Sequence, residues 1–460
     1  MLTPQGSPWR LPGPERIAIS TAQATSVQEG REGHSRPLTA PQNGSVVTPT
    51  TARAVRQGGA TMEMASQEER RYAVRARWLF DGTALLDEAA NPMVVIEDGR
   101  ISDVDTSGAA PSDDLPVLDL DEATLLPGLI DAHTHLVFDA TEQVVPHVQA
   151  ATEQALLAHM RQAARAMLTR GITTARDLGD RDYLTLTHRA ETARRPDAGP
   201  TILAAGPPIT PTGGHCWFLG CQADDADAIT AAVHDHAEHG VDVIKVMATG
   251  GRMTPTTPPH QSQYPLADLR VAVDQAHALG LLAAAHVHGR QGILDALTAG
   301  FDTLEHATFM TADRLDPDQG LIDAIARAGT IVTLTAGLLP GAPLPPAIQR
   351  LMPQLIAHIK NLADSGVRVA LGPDGGIAPA KPHTVLPHAI VELVTAGFSP
   401  TDALAAATTT AAQACGTAAH TGQIAAGYDA DLLAVTGNPL TDISAIHHVA
   451  AVYRHGHRIT

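Results

Sequence analysis

The sequence predicts an α/β chain: a (β/α)8, TIM-like barrel with a small β-sandwich domain formed by both chain termini. Three observations predict it. An amphipathic helix, a glycine, a short apolar strand and a polar strand-end residue recur as a unit through the middle of the chain. Both flanks instead show short alternating runs separated by turn residues. No G-x-G-x-x-G follows the first strand, which weighs against a doubly wound open sheet.

The elements follow in chain order. Residues 1–65 are rich in Pro, Gly, Ser, Thr and Gln without periodicity, as in "LPGPERIAISTAQATSVQEGREGHSRPLTAPQNGS". Such a segment buries too little apolar surface to offset its ordering entropy, so a disordered N-terminal extension is expected. Met62 or Met64 would serve as a natural start. "YAVRARWLFDG" and "MVVIEDGRISDV" then alternate as short antiparallel strands do. The C-terminal "GQIAAGYDADLLAVTG" and "VAAVYRHGHRI" have the same texture. Residues 66–126 and 422–460 are therefore expected to form one composite β-sandwich domain, and 127–421 the barrel.

Eight candidate barrel strands lie in "PGLIDAHTH", "MLTRGITTARD", "PTILAAG", "AEHGVDVIKVMATGG", "AHALGLLAAAHVHG", "LTAGFDTLEHAT", "IARAGTIVTLTA" and "LADSGVRVALGPDGG". The glycines suit helix ends because they accept the left-handed conformation. Strands alternating with helices imply a parallel sheet with right-handed crossovers. A barrel of eight such units collects its active site at the C-terminal strand ends.

Composition bounds the function. The chain has 460 residues, 44% of them hydrophobic, enough for a large domain and a smaller one. A net charge of −18 argues against nucleic acid or an anionic membrane as partner. Aromatics at 3% argue against a stacking surface for sugars or bases. Three cysteines, Cys216, Cys221 and Cys415, make no disulfide framework and suit a reducing, cytoplasmic compartment. With 23 histidines, a histidine gains weight only from its position.

Position is informative at the strand ends. His133 and His135 in "LLPGLIDAHTHLVFDA" are two apart, so a strand aims both imidazoles at one point, as a transition metal requires. Later strands deliver Lys245, His286 with His288, His306 and Asp374. The barrel brings all of them to one face. Lys245 lies in the apolar "VIKV", where an uncompensated ammonium is costly to bury. A neutral amine there can take up carbon dioxide, and the carbamate can bridge two cations. An ion pair with Asp242 or Asp302, or a Schiff-base role, is the alternative.

With these motifs the chain resembles the amidohydrolase superfamily, in its imidazolonepropionase-like and prolidase-like branch. The resemblance runs from about Tyr72 to the C-terminus. It rests on "LLPGLIDAHTH", "GITTARDLG", "GGHCWFLG", "VDVIKVMATGG", "AAHVHG", "DTLEHAT", "LGPDGG" and "GYDADLLAVTGNPLTDI". It implies two divalent metal ions, zinc first among them. His133 and His135 would hold the more buried ion, and His286 and His306 the second. Carbamylated Lys245, made with carbon dioxide, would bridge the two. Asp374 would ligate the first ion and move the proton. Pro373 and Gly375 depart from the Thr and Ala more usual around that Asp, which bears on the loop after strand 8.

The expected function is metal-dependent hydrolysis of a C–N bond in a small amide, a dipeptide or an N-acyl amino acid, by a homo-oligomer. A bridging hydroxide attacks the carbonyl, and Asp374 passes the proton to the leaving nitrogen. His215 is expected to donate to the oxyanion and touch substrate, with His288 as a further substrate contact. Tyr264 resembles the position that meets the substrate carboxylate. Asp177 is read as structural. The alternatives are a hydrolase or deaminase of a cyclic amide, against which Lys245 speaks, and an inactive metal-free scaffold. A chain beginning at Met62 is expected to keep the full-length melting temperature and activity; thermal denaturation of the two forms is the check, and a loss of several degrees would contradict it.

Overall fold

Alternating apolar residues at both ends of the chain form short strands with one buried face. The N-terminal flank supplies β1 (Arg71–Arg75), β2 (Trp78–Phe80), β3 (Leu85–Leu86), β4 (Met93–Glu97), β5 (Arg100–Asp105), β6 (Val117–Asp119) and β7 (Ala123–Pro127). The middle supplies β8 (Leu129–Thr134), β9 (Ile172–Asp177), β10 (Thr201–Ala204), β11 (Val243–Met247), β12 (Leu282–Val287), β13 (Thr303–His306), β14 (Ile331–Leu334) and β15 (Val369–Leu371). The C-terminal flank adds β16 (Leu432–Thr436), β17 (Val449–Arg454) and β18 (His457–Arg458). The computed structural model describes residues 71–86 and 91–460. The expected N-terminal extension lies outside the described residues.

The flank strands make two sheets, of order β5-β4-β1-β6 and β18-β17-β16-β7-β2-β3. Val74, Val94 and Ile96 of the first sheet share one apolar cluster with Leu79, Leu125, Leu432 and Tyr453 of the second. The pairing is mixed rather than wholly antiparallel. β1 pairs β6 and β2 pairs β7 in parallel. Between β2 and β7 the chain visits the other sheet and returns in the same direction, so the two strands run alike.

The middle is a TIM-barrel-like α/β fold. β10-β9-β8 and β11-β12-β13-β14-β15 are parallel sheets of three and five strands. Parallel bridges join Ile209 to Val246 and Thr134 to Gly375 at the two seams. Helices start and stop where local chemistry dictates. Thr152, Asp225 and Asp318 cap the helices Glu153–Thr169, Ala226–His239 and Gln319–Ala328 by accepting a backbone N–H. Among the described residues, no helix is long and apolar enough to cross a membrane.

Leu126, Leu433 and Val452 of the flank strands pack in one large cluster with Leu129 and Ile172 of the barrel strands. The flank sheets thus brace the barrel by shared apolar burial. Leu433 is fully buried there. Leu433→Ala should cost about 2–5 kcal/mol, read as a lower midpoint of chemical denaturation with an unchanged slope.

Candidate metal centre

The strand ends converge on a cavity of about 410 Å³. His133, His135, His215, Lys245, His286, His288, His306 and Asp374 all line it. Tyr264 does not reach it. Its ring is buried in the large apolar cluster, and its hydroxyl donates to the Ala223 carbonyl at 2.7 Å. Asp177 accepts from the backbone N–H groups of Leu136 and Gly179 and organises the turns after β8 and β9.

β8 places His133 and His135 on one side, and their bonds select the tautomers. His135 Nδ1 lies 3.0 Å from the Gly179 carbonyl and must donate to it. His133 Nδ1 lies 2.8 Å from a Glu305 oxygen and donates likewise. Both Nε2 lone pairs therefore face the cavity, 3.3 Å apart. Asp374 Oδ1 lies 3.3 Å from one and 3.6 Å from the other. Two lone pairs and a carboxylate facing one another are what a shared cation stabilises.

The other donors come from β12 and β13. His306 Nε2 lies 3.0 Å from His286 Nδ1. Strand alternation would point His306 away from Glu305. A φ of 69° at His306 breaks the alternation, so both side chains serve the site. Asp374 is also left-handed, at φ 63°. Such backbone costs about 1–3 kcal/mol at each non-glycine residue and persists where the surroundings impose it.

Two donor sets result. His133, His306 and Asp374 bring one atom each within 4.8 Å of one another, and so do His286, His288 and His306. His288 thus stands with the nitrogen donors as well as on the cavity wall. Its ring stacks on His306 at 4.6 Å, and its Nδ1 shares a bond with Thr308 Oγ1 at 2.9 Å. The donor chemistry fits divalent metal ions.

Burial sets the electrostatics. It lowers the pKa of His133 to about 4 and those of His215 and His288 to about 3, so these imidazoles are neutral. Burial works to raise the Asp374 pKa, but the bond with His135 and the nearby His133 and Lys381 hold it well below the usual range. Burial lowers Lys245 to about 8, against the pull of Glu305 and Asp374. Lys245 Nζ is buried without a hydrogen-bond partner, and so is His215 Nδ1.

The residues beneath the site escaped the sequence reading. Arg176, on β9, donates to the Ala132 carbonyl at 2.7 Å, the Ala414 carbonyl at 2.9 Å and Glu305 at 3.1 Å. Burial alone would raise the Glu305 pKa. Arg176, His133 and Lys245 outweigh it and bring the carboxyl to about 2. The available signal was a charge inside each predicted barrel strand, in "TTARD" and "DTLEHAT". Lys381 was missed too, because its Nζ joins the loops after β14 and β15, 2.7 Å from the Thr335 carbonyl and 2.8 Å from that of Pro373. Close packing holds the centre. A Cβ at Gly372 would meet the His133 backbone nitrogen at 2.2 Å, and one at Gly251 would meet His215 Nε2 at 2.2 Å.

The model of the amidohydrolase family matches residues 124–459. The chain belongs to the amidohydrolase family. Among curated relatives, ochratoxinase of Aspergillus niger is 28% identical over 377 residues, 71% of this chain and 73% of its own. Imidazolonepropionase of Nocardia farcinica is 28% identical over 399 residues, 79% of this chain and 88% of its own. Among solved structures, a Xaa-Pro dipeptidase with bound methionine superposes with a TM-score of 0.74 at 26% identity, over 84% of this chain and 99% of its own. These relatives place the amidohydrolase in the imidazolonepropionase-like and prolidase-like branch, among hydrolases acting on carbon–nitrogen bonds of small amides. The family is generally metal-dependent, which agrees with the His/Asp cluster.

Glu305 orients His133, and outer carboxylates of this kind typically carry 10–100-fold of metal affinity. Glu305→Gln is expected to weaken zinc binding by about that factor, measured by competition with a chromophoric chelator. An unchanged affinity would mean that Glu305 serves only to neutralise Arg176.

Proposed function

We propose that this amidohydrolase cuts an amide or peptide bond in a dipeptide or N-acyl amino acid, using two divalent ions. The observation that carries the reading is the buried, unpartnered Lys245 Nζ, in the cavity it shares with both donor sets. His133, His135 and Asp374 would hold one ion, and His286 and His306 the other. Lys245, as a carbamate, would supply further oxygen donors. When bound, the ions polarise the substrate carbonyl and lower the pKa of water. Asp374, ionised, takes the proton of the attacking water and returns it to the leaving nitrogen. Neutral His215 donates to the carbonyl oxygen as charge develops there. The reading includes closure of the eight strands into one barrel, supported by the two seam bridges, and a sandwich of the two flank sheets, supported by their common cluster. It divides the chain at 127 and 421.

Carbamate formation needs the free amine. With Lys245 near 8, the neutral fraction grows as pH rises through that value. At equal dissolved carbon dioxide, reconstitution of metal-free protein with zinc should therefore be faster at pH 9 than at pH 7. Lys245→Ala should lose one of two ions by elemental analysis and most turnover. A variant that keeps both ions would remove the bridge.

Asp374→Asn keeps the side-chain shape but removes the base. Its kcat should fall by at least ~10²–10⁴-fold, while its metal content falls less than that of His133→Ala. Steady-state kinetics on dipeptides and N-acyl amino acids provide the measurement; a wild-type kcat would take Asp374 out of the proton path.

A further inference from the structure

The cavity has a second half that the metal chemistry does not use. The helix Pro346–Asp364 faces it with Ile348, Met352, Leu355, Ile356 and Ile359. Their spacing makes one helical stripe. A neighbouring stripe, Leu351, His358 and Leu362, is the one buried in the protein interior. The first stripe is only partly covered: Leu355 and Ile359 pack against buried clusters on one side, while Ile356 is 44% exposed. Met253, Met310 and Leu338 line the same cavity.

Most polar groups in this half are already engaged; His358 Nδ1, buried without a partner, and Arg252 are the exceptions. Lys381 Nζ is held by backbone carbonyls. Glu392 accepts from the backbone N–H groups of Gly337 and Leu338, each at 2.8 Å. Thr335 is bonded to His306, and Thr395 to the Val391 carbonyl. His358 Nε2 donates to the Ala307 carbonyl at 2.8 Å, and its Nδ1 is buried. Arg252 is exposed to solvent. Its guanidinium meets Met310 Sδ at 4.0 Å; away from it, a polar or charged group entering this half would lose its water and gain no partner. Among the described residues no Phe, Tyr or Trp lines the cavity, so beside the helix stripe a flat ring finds no large aromatic face to stack on. Methionine and branched aliphatic side chains adapt instead to a flexible chain.

We propose that this half is an acyl-chain chamber, and that the substrate is an amide of an unbranched aliphatic carboxylic acid. The proposal rests on the amide-hydrolysis reading. The amine half of an N-acyl amino acid carries a carboxylate that the aliphatic stripe of the helix Pro346–Asp364 would leave unpaired, so the acyl half lies against that stripe. One water is consumed: its oxygen bonds to the acyl carbon, the C–N bond breaks, and the nitrogen leaves with the transferred proton. The products are a fatty carboxylate and an amino acid. A volume of about 410 Å³ accommodates such a chain beside the reacting amide.

The test is a series of N-acylglycines from butanoyl to dodecanoyl, turned over by the zinc-loaded enzyme. Each methylene taken from water should raise kcat/KM roughly three- to fourfold until the chamber is full. Met352→Trp, which shortens the chamber, should lower the decanoyl-to-butanoyl ratio at least tenfold. Ile356→Asp, at an exposed position, should flatten the slope without loss of folding. Equilibrium dialysis of the free butanoate-to-dodecanoate series gives a readout independent of turnover. Turnover with no dependence on chain length overturns the chamber and leaves amide hydrolysis standing. Binding that strengthens with length and is lost in Met352→Trp, without turnover of any acylglycine, supports the chamber and removes the amide reading. Binding with no dependence on length overturns the chamber whether or not turnover is seen.

Discussion

The buried chain from Arg176 through Glu305 to His133 is the interaction on which the centre depends. Arg176 and Glu305 are both almost fully inaccessible to solvent, so neither charge is tolerable alone. Removing one partner of such a pair typically costs ~3–5 kcal/mol, because the other charge stays behind unpaired. Their pairing also does chemical work. Glu305 fixes the His133 tautomer and turns Nε2 toward Asp374. Arg176 in turn ties the pair to the backbone carbonyls of Ala132 and Ala414. Stability and metal chemistry therefore rest on the same side chains.

Close packing supplies the remaining precision. Gly372 lets the backbone after β15 lie against His133, and the Asp374 N–H then donates to the His133 carbonyl at 2.8 Å. Lys381 joins the loops after β14 and β15 on the other side. Asp374 is thus held from two directions in a backbone conformation that few residues adopt freely. Burial keeps His133, His286 and His306 neutral, as metal ligation requires; at His135 burial is outweighed by the bond to Asp374, which raises its pKa, and the surroundings keep Asp374 ionised. The same desolvation lowers Lys245 into the range where an amine can react. One buried, dry strand-end environment thus prepares three kinds of group at once.

The cavity divides by chemistry. One end gathers imidazoles and carboxylate. The other is walled by aliphatic side chains whose polar neighbours are mostly engaged with backbone. Here the second end is walled by the helix Pro346–Asp364, which is the crossover between β14 and β15.

The sequence by itself determined the recurring strand–helix unit, the flank strands and the strand-end residues that gather at the cavity. Those signals are local: alternation, helix spacing, glycine at helix ends, and H-x-H at a strand end are written within a few residues. His133, His135, Lys245, His286, His306 and Asp374 stand out because each ends or interrupts an apolar run. Only the tertiary structure decided which side chains meet. Arg176 and Glu305 are 129 positions apart, and no local pattern announces their contact. Tyr264 lies beside a site loop in sequence, yet the start of the following helix turns its hydroxyl to Ala223. His306 reaches the cavity only through a left-handed φ that strand periodicity does not foresee. The apolar chamber was hidden for the same reason. A stripe of Ile, Met and Leu on a helix reads as core, and only the packing of the other stripe shows that it faces open space.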